Sequence, residues 1–491
     1  MTILPKNLQD FPVYCVGIKG TGMTALVEIL VSRGARVSGS DVPEEFYTDR
    51  ILTELNVPIF QGFSPRNVPS EAGLVIHSAA YDPNSHPELL EAKRLSIPLL
   101  QYNEALGQFS ALQNSSGIAG VHGKTTTTAI AGVLVQGLGL PGTVLTGSAA
   151  LNFGGRSVYS GGNDFFIAET CEYRRHFMTF HPSRIVLTSV EADHLDYFAH
   201  EEDVLSAFVD YGLKLPEAGT CIYCADDPGT CEVVSRLSSL RDDIAFLPYG
   251  FTAKGPYGIT RHIRGQGYQE FSLGILESLG YKTGMKLRVP GNHTVLNACA
   301  ALALVLSIYS DLYGDFSKDL LNSLGASLEG FRGTRRRSEV IGEAGGVLVL
   351  DDYAHHPTAI RTTLGGFRDF YPGRRIVVSF MSHTYSRTAH LLDEFSESFD
   401  SADLVILHDI YASAREKPIP GVSGQSLYEK TCLHHEHVLF EPSHDGSAAR
   451  VVGLLHPGDI FLTMGAGDNW QLGIQVLKLL ESRTTDQGGA S

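Results

Sequence analysis

The stretch with the clearest chemical meaning is residues 117–128, which read GIAGVHGKTTTT. Its glycines allow backbone N–H groups to close around phosphate oxygens, and a helix starting at its end would add a positive dipole end. Lys124 supplies a mobile cation for terminal phosphates, and the Thr125 hydroxyl can coordinate Mg2+. The stretch therefore predicts a nucleoside triphosphate site formed by Gly120, Val121, His122, Gly123, Lys124, Thr125 and Thr126.

This stretch departs from the general phosphate-loop pattern. That pattern has a glycine at the position of Ile118, whereas here Gly117 and Gly120 flank it. The alternative is a glycine-rich turn before an ordinary helix. The helix itself is predicted by apolar residues at helical spacing from Ala129 onward, and it should end near Gly139.

Two predicted strands end beside acidic residues. Residues 164–169 (DFFIAE) finish on Glu169, and residues 184–189 (RIVLTS) run into VEADHLDYF, which contains His194 between two aspartates. Open α/β sheets bind ligands at the carboxyl ends of their strands. Thr125, Glu169 and His194 could therefore hold Mg2+, which takes few protein ligands and keeps phosphate oxygens and water. For His194 the alternative is an ordinary hydrogen-bonded loop histidine.

The N-terminal region opens like a Rossmann unit. A strand at residues 11–17 runs into GIKGTGM, a helix follows to about Arg33, and a second strand ends at Asp41. The glycines Gly17, Gly20 and Gly22 lack the G-x-G-x-x-G spacing, so an NAD site is weakly supported and another nucleotide diphosphate remains possible. The alternative is that these glycines serve only a tight turn. Ser78 ends a further predicted strand.

Polar clusters also follow predicted strands in the last third of the chain. These are DDYAHHPT at residues 351–358, which includes Asp352, and SHTYSRT at residues 382–388, which includes His383 and Arg387. Residues 330–339 carry four arginines, the last of them Arg337. Such a run is usually a solvated face, but one guanidinium could bind a phosphate.

A largely apolar helix is predicted at residues 291–308, and its polar start contains Asn292, His293 and Asn297. These side chains could hydrogen-bond an adenine edge, or they could cap the helix.

The alternation of predicted strands and helices indicates an α/β fold with three domains, as the length of 491 residues also suggests. We expect a Rossmann-like domain at 1–110, a central phosphate-loop ATPase-like α/β domain at 111–326 and a C-terminal Rossmann-like α/β domain at 327–491. A connector is predicted near residues 107–116.

The composition limits the partners and the compartment. The formal charge of −16 argues against nucleic-acid binding. Seven scattered cysteines indicate a reducing compartment, and the alternating GTCIYC places Cys221 and Cys224 on opposite faces of a strand, so we expect no zinc site. With no signal peptide and no apolar run of about 18 residues, we expect a cytoplasmic protein without a membrane span.

The chain resembles the Mur ligase family over nearly its whole length. The resemblance is carried by GIKGTGM, SGSD at residues 38–41, GVHGKTTTT, Glu169, EADHLDYF, DDYAHHPT and SHTYSRT. It implies a three-domain enzyme of peptidoglycan and cell-wall synthesis, a process tied to cell shape and division. It also implies the cofactors ATP and Mg2+, and the substrates UDP-N-acetylmuramate and L-alanine, joined through an acyl phosphate.

The same resemblance implies roles for individual residues. Lys124 would bind the ATP phosphates, and Thr125, Glu169 and His194 would bind Mg2+. Asn297 would meet adenine, Asp352 the ATP ribose and Arg337 the terminal phosphate, while His383 and Arg387 would lie near the incoming alanine. The uridine diphosphate would be held by the N-terminal domain, at the site residues Gly17, Gly20, Gly22, Asp41 and Ser78.

Several positions differ from the family pattern. Lys19 replaces a glycine, Val121 a common threonine, Thr294 an asparagine near adenine, and Met381-Ser382 the usual Gln-Pro; Asp210 lies near the place of the carbamylated lysine of some relatives. A histidine among 355, 356 and 383 could accept the proton of the amine, or be structural. Two other functions remain open. One is a family member that attaches a whole peptide in recycling, and the other is a nucleotide-binding module without catalysis.

Overall fold

A computed structural model describes residues 3–191, 197–198, 200–281, 283–412, 418–444 and 446–488. Contacts between its Cα atoms divide the chain into two compact units. The first unit comprises residues 1–260, 272–284 and 296–329, and the second comprises residues 261–271, 285–295 and 330–491. Both are built from mainly parallel sheets with helices, which confirms the predicted α/β class.

The first unit begins with a five-stranded parallel sheet in the order β3-β2-β1-β4-β5. Its elements are β1 (Pro12–Val16), α1 (Thr21–Ser32), β2 (Arg36–Asp41), α2 (Thr48–Glu54), β3 (Ile59–Gln61), β4 (Leu74–His77), α3 (Pro87–Arg94), β5 (Leu99–Gln101) and α4 (Tyr102–Ser110). Alternate residues of β1 enter two different cores: Val13 and Cys15 on one face, Tyr14 and Val16 on the other. Both faces of this sheet are therefore covered, as parallel sheets require.

The rest of the first unit is built around a second sheet. Its elements are β6 (Asn114–Ala119), α5 (Lys124–Gly137), β7 (Gly142–Ala150), β8 (Arg156–Ser160), β9 (Phe165–Glu169), β10 (Arg184–Leu187), α6 (Glu201–Gly212), β11 (Thr220–Cys224), α7 (Pro228–Leu240), β12 (Ala245–Gly250), α8 (Gly274–Ser278) and α10 (Lys318–Glu329). Three further elements have residues in both units: β13 (Tyr257–Gly265), β14 (Tyr268–Leu273) and α9 (Asn292–Tyr313). Strand β15 (Met285–Leu287) belongs to the second unit.

Within the first unit the strands of this sheet run in the order β12-β11-β10-β6-β9-β7-β8. Strand β6 lies between β9 and β10 and is parallel to both. The carboxyl ends of these three strands therefore lie side by side, and the loops that follow them form one edge. This arrangement brings the predicted phosphate loop next to Glu169.

Helix α9 is long and largely apolar. Its length and composition would suffice for a membrane span, but most of the helix is buried inside the protein. Residues 298–306 are fully buried. This burial is what a core helix of a folded domain shows.

The second unit contains a six-stranded sheet in the order β16-β17-β21-β18-β19-β20, in which only β16 is antiparallel to its neighbour. Its elements are β16 (Glu339–Ala344), β17 (Val347–Asp352), α11 (Pro357–Phe370), β18 (Ile376–Phe380), α12 (Tyr385–His390), α13 (Leu392–Ser396), β19 (Leu404–Leu407), α14 (Gly424–Thr431), β20 (Val438–Phe440), α15 (Ala448–Leu454), β21 (Ile460–Met464) and α16 (Trp470–Gly488). Alternate residues of β17 enter two cores, so helices cover both faces.

The predicted connector at residues 107–116 is wrong. The end of α4 and the start of β6 occupy this segment. The prediction relied on the polar residues Asn114, Ser115 and Ser116, which are typical of a loop. In the structure Ser115 and Ser116 are fully buried in β6. The Ser115 hydroxyl donates to the Ser110 carbonyl at 2.7 Å, which makes its burial tolerable.

Candidate active site

The loop between β6 and α5 has the backbone of a phosphate-binding loop. Gly120 (φ +140°) and Gly123 (φ +83°) both take conformations that favour glycine, and α5 begins at Lys124. The loop is tied to residues after β10: the N–H groups of Val121 and His122 donate to the Ser189 carbonyl and hydroxyl, at 3.0 and 2.9 Å. The residues that follow β10 therefore fix the shape of the loop, a role that the sequence analysis missed.

Lys124 is the cation of this loop. Its ammonium donates to the Gly120 carbonyl and, at 2.8 Å, to the carboxylate of buried Glu172. Burial is the largest influence on the pKa of Lys124 and lowers it, but the negative charges led by Glu172 outweigh it and hold this pKa above its usual value. The ammonium thus stays charged inside the protein. Sequence reasoning did not identify Glu172, although it lies three residues after Glu169.

Thr125 and Glu169 form an oxygen-rich pair beside the loop. The Thr125 hydroxyl donates to Glu169 Oε2 at 2.8 Å. Gly147 in β7 packs on this carboxylate, and a Cβ there would overlap it. A hydroxyl and a carboxylate are ligands that Mg2+ accepts, so the two residues fit the predicted ion. The third predicted ligand, His194, lies outside the described residues, as do Asp193 and Asp196.

Two further side chains lie against the loop. The ring of His122 contacts Glu191, with Nε2 at 2.5 Å from a carboxylate oxygen. Asn297, in α9, is buried so close to Gly123 that a Cβ at Gly123 would lie 2.5 Å from Asn297 Oδ1. Asn297 is thus next to the start of α5, and its contact with adenine stays a prediction.

Thr294 and Asn292, at the polar start of α9, make different kinds of contact. The Thr294 hydroxyl donates to the Gly291 carbonyl at 2.6 Å. Thr294, which replaces the asparagine of the family pattern, therefore stabilises the turn at the start of α9. Asn292 Oδ1 accepts from Arg264 at 3.0 Å.

The predicted diphosphate loop lies after β1. Gly17 has φ +81°, and the ring of Tyr81 packs on it, with a Cβ at Gly17 only 2.7 Å from Tyr81 and 3.1 Å from the Ser78 Cβ. Asp41 accepts from the N–H groups of Lys19 and Val42 at 2.7 and 2.8 Å. The Asp41 carboxylate therefore shapes the glycine loop itself.

Lys19 does not disturb this loop. Its side chain is buried and pairs with Asp49 at 3.0 Å, while its ammonium also donates to the Glu44 carbonyl. The remaining glycines open the first turn of α1: Gly20 caps it, and Gly22 packs against the ring of Tyr102.

In the second unit, Asp352 organises the arginine-rich turn. Its carboxylate accepts from the N–H groups of Ser338 and Ala354 at 2.7 and 2.8 Å. Burial raises the pKa of Asp352, and the charge of Arg337 opposes that rise. The Arg337 guanidinium lies 5.0 Å from the centre of the Tyr353 ring. Asp352 therefore supports the turn that presents Arg337.

The arginine run is not a simple solvated face. Arg336 donates to Asp351 at 3.0 Å and to the carbonyls of Gly465 and Gly467, so it fastens the turn to the loop after β21. Arg335 lies over the Trp470 ring at 5.2 Å. Of the four arginines, only Arg332 is exposed.

His383 lies on the same strand-end edge of the second unit. Its ring stacks on Tyr411 with centres 5.9 Å apart, and His355 approaches it at 6.4 Å. Arg387 follows on α12, one turn further along the chain. Ser382 is buried and its hydroxyl bonds Thr388 Oγ1 at 2.5 Å, which explains how this replacement is accommodated.

The neighbouring histidines differ in their hydrogen bonds. His355 Nδ1 lies 2.8 Å from the Tyr353 carbonyl, so it must donate there and Nε2 carries the acceptor lone pair. His356 caps α11 by accepting from the Thr358 N–H at 3.4 Å. Of these two, His355 has the tautomer that can accept a proton at Nε2.

Three family models match consecutive parts of the chain: the Mur ligase family catalytic domain at residues 12–114, the Mur ligase middle domain at 118–305, and the Mur ligase glutamate ligase domain at 336–467. The chain belongs to the Mur ligase family.

Among its relatives is the UDP-N-acetylmuramate–L-alanine ligase of Treponema pallidum, which is 51% identical over 96% of this chain and 97% of the relative. The enzyme of that name from Desulfitobacterium hafniense is 39% identical over 94% and 98%.

Solved structures share the fold. The UDP-N-acetylmuramate–alanine ligase of Thermotoga maritima superposes with a TM-score of 0.73 at 24% identity, covering 96% of this chain and 99% of the other. The murein peptide ligase of Psychrobacter arcticus gives a TM-score of 0.62 at 20% identity, with the same coverage of 96% and 99%. These matches confirm the predicted three-domain architecture.

Proposed function

We propose that this chain is an ATP-dependent ligase that joins L-alanine to the lactyl carboxylate of UDP-N-acetylmuramate, in the cytoplasm, during synthesis of peptidoglycan precursors. The observation that carries the proposal is 51% identity over 96% of the chain with a ligase of that name. The loop at residues 120–126 supports it, because it offers the backbone and the cation that a triphosphate needs.

In the first step, a lactyl carboxylate oxygen attacks the γ-phosphorus of ATP. An O–P bond forms, the bond from the γ-phosphorus to ADP breaks, and an acyl phosphate results. Such a transfer needs alignment and charge neutralisation more than covalent help. Lys124 neutralises phosphate charge, and Glu172 keeps it protonated and aimed at the loop. Arg337 is proposed to bind the terminal phosphate.

The metal that this chemistry uses would be Mg2+, held by Thr125, Glu169 and His194, and it would supply positive charge to the phosphates. Thr125 and Glu169 support this, since their oxygens already lie together beside the loop. Asn297 and Asp352 are proposed to bind the adenosine part, and Gly17, Gly20, Gly22, Asp41 and Ser78 to form the site of the uridine diphosphate.

In the second step, the neutral amine of L-alanine attacks the acyl carbon. A C–N bond forms, the C–O bond to phosphate breaks, and one amine proton must be accepted. His383 and Arg387 are proposed to lie near the amino acid. His355 Nε2 is a suitable acceptor for the proton, because Nδ1 of that ring donates to a carbonyl.

The proposal is tested by measuring inorganic phosphate release from ATP by the purified protein, with each substrate omitted in turn. Release should require UDP-N-acetylmuramate and L-alanine together, and glycine and L-serine should support it less well. If a tripeptide replaced L-alanine as the better substrate, the chain would be a recycling ligase. No release with either acceptor, but binding of ATP, would indicate a nucleotide-binding module.

A further inference from the structure

Tyr102 lies where the N-terminal sheet of the first unit is followed by the second sheet. It is the first residue of α4, directly after β5 of the N-terminal sheet. Its ring packs on Gly22, where a Cβ would lie 3.0 Å from Tyr102 Cζ and 3.1 Å from its hydroxyl oxygen. The phenol therefore reaches the first turn of α1, the end of a helix at which anions bind.

The same phenol is within electrostatic range of the phosphate-loop site. Burial raises the pKa of Tyr102, and the negative charge of Glu169 raises it further. Tyr102 therefore stays protonated and remains a hydrogen-bond donor throughout the physiological pH range. Its ring packs on Gly22, in the proposed diphosphate loop, and its hydroxyl is influenced by the charge of Glu169, in the proposed phosphate-transfer site.

The position of this ring is fixed from both sides. At the start of α4, the Gln101 N–H donates to Glu104 at 2.7 Å as part of a capping box. Further along, the Asn103 carbonyl accepts from Thr179 at 2.8 Å, and Ser110 Oγ accepts from the His181 N–H at 2.9 Å. Residues on both sides of the junction therefore hold α4 in place.

The Tyr102 hydroxyl has no hydrogen-bond partner among the residues that the structure describes. A half-buried donor without a protein partner gains most from an anionic acceptor supplied by a ligand. The acceptor that the proposed function would place between the two loops is the UDP-sugar acid, whose diphosphate and lactyl carboxylate are both anionic.

We propose that the Tyr102 hydroxyl donates a hydrogen bond to an anionic oxygen of bound UDP-N-acetylmuramate. The inference rests on the proposed function for the identity of this ligand. The two possible acceptors, a diphosphate oxygen and a lactyl carboxylate oxygen, are both anionic. UDP contains only the first of them, so a comparison of UDP with UDP-N-acetylmuramate distinguishes the two.

The test is Tyr102→Phe, which removes only the hydroxyl. Hydrogen bonds to charged groups are stronger than those between neutral groups, so loss of this one should weaken binding about tenfold or more. KM for UDP-N-acetylmuramate should rise by that factor while KM for ATP is unchanged, a split that general misfolding would not produce. Tyr257→Phe is the matched control, because Tyr257 is another buried tyrosine, at the start of β13.

Direct binding of UDP, measured by calorimetry, separates the two acceptors. Equal weakening for UDP and UDP-N-acetylmuramate would place the bond on the diphosphate, and weakening for UDP-N-acetylmuramate alone would place it on the lactyl carboxylate. The concentration of folded protein in each preparation is determined by titration with ATP, so that partial unfolding of a variant does not change the measured affinities. Unchanged KM and Kd values in an active Tyr102→Phe enzyme would overturn this inference, whereas an inactive wild type would instead overturn the proposed function.

Discussion

The ammonium of Lys124 and the carboxylate of Glu172 form a buried ion pair at 2.8 Å, directly behind the phosphate loop. Glu172 is 2% exposed, so its charge needs a partner inside the protein, and Lys124 supplies one. The pair holds the cation in the loop and keeps it protonated. Lys124 belongs to the phosphate-loop motif, whereas Glu172 lies outside it.

Replacing Lys124 by alanine should reduce ligation at least about a thousandfold, because a preorganised positive charge on the transferred phosphate is lost. The measurement is ADP formation that depends on both UDP-N-acetylmuramate and L-alanine. Lys254→Ala, at an exposed position, is the control and should remain active. Full activity of the Lys124 variant would remove this residue from the mechanism.

Glu172→Gln should make ATP binding depend on pH. Burial, the largest influence on the pKa of Lys124, lowers it, and the Glu172 charge is the chief influence that raises it. Without that charge the pKa of Lys124 falls, so the ammonium is lost at a lower pH than in the wild type and KM for ATP increases as the pH rises through the alkaline range. The wild type and exposed Glu71→Gln should show little change over this range. Parallel profiles for all three proteins would contradict the role of Glu172.

The sequence predicted the strands, the loop and the strand-end carboxylates because each has a local signature. It did not predict which distant residues support them. Glu172, Ser189 and Tyr102 have no signature, since each contacts residues that are distant in the chain and come close only in the folded protein. Residues of a motif can also stabilise the backbone, which the sequence does not show. The carboxylates of Asp41 and Asp352 each accept hydrogen bonds from two backbone N–H groups.

Gly147→Ala should raise the Mg2+ concentration needed for half-maximal activity by about tenfold or more, because the added Cβ displaces the Glu169 carboxylate, and small displacements of reacting groups are costly. The position is at the surface of β7, so folding should survive. Mg2+ titrations of phosphate release measure the effect.

Gly365→Ala is the matched control for this substitution, since a Cβ there meets nothing within 4 Å. If both alanine variants gave the wild-type Mg2+ dependence, Glu169 would not be held by Gly147 in the way described.

His408 should make the second unit less stable in acid. Burial lowers the pKa of His408 to about 4, and its ring bonds Ser379 and the Glu441 carbonyl, both at 2.7 Å. The unfolded chain binds the proton more tightly, so this contribution to stability is complete above about pH 6.5 and is lost as the pH falls towards 4, on the order of 3 kcal/mol in all.

Unfolding monitored against pH measures the effect, and His408→Asn should flatten the dependence while lowering stability at neutral pH. His434→Asn, at an exposed histidine, is the control and should leave the profile unchanged. A His408→Asn profile as steep as that of the wild type would show that other groups cause the acid sensitivity.

The most direct test of the central claim follows the oxygen atoms of the acceptor. UDP-N-acetylmuramate carrying 18O in its lactyl carboxylate is incubated with ATP, Mg2+, L-alanine and the purified protein, and the released phosphate is analysed by mass spectrometry. Transfer of the γ-phosphoryl group to the carboxylate predicts one 18O atom in each phosphate. Product formation with unlabelled phosphate would contradict an acyl phosphate intermediate.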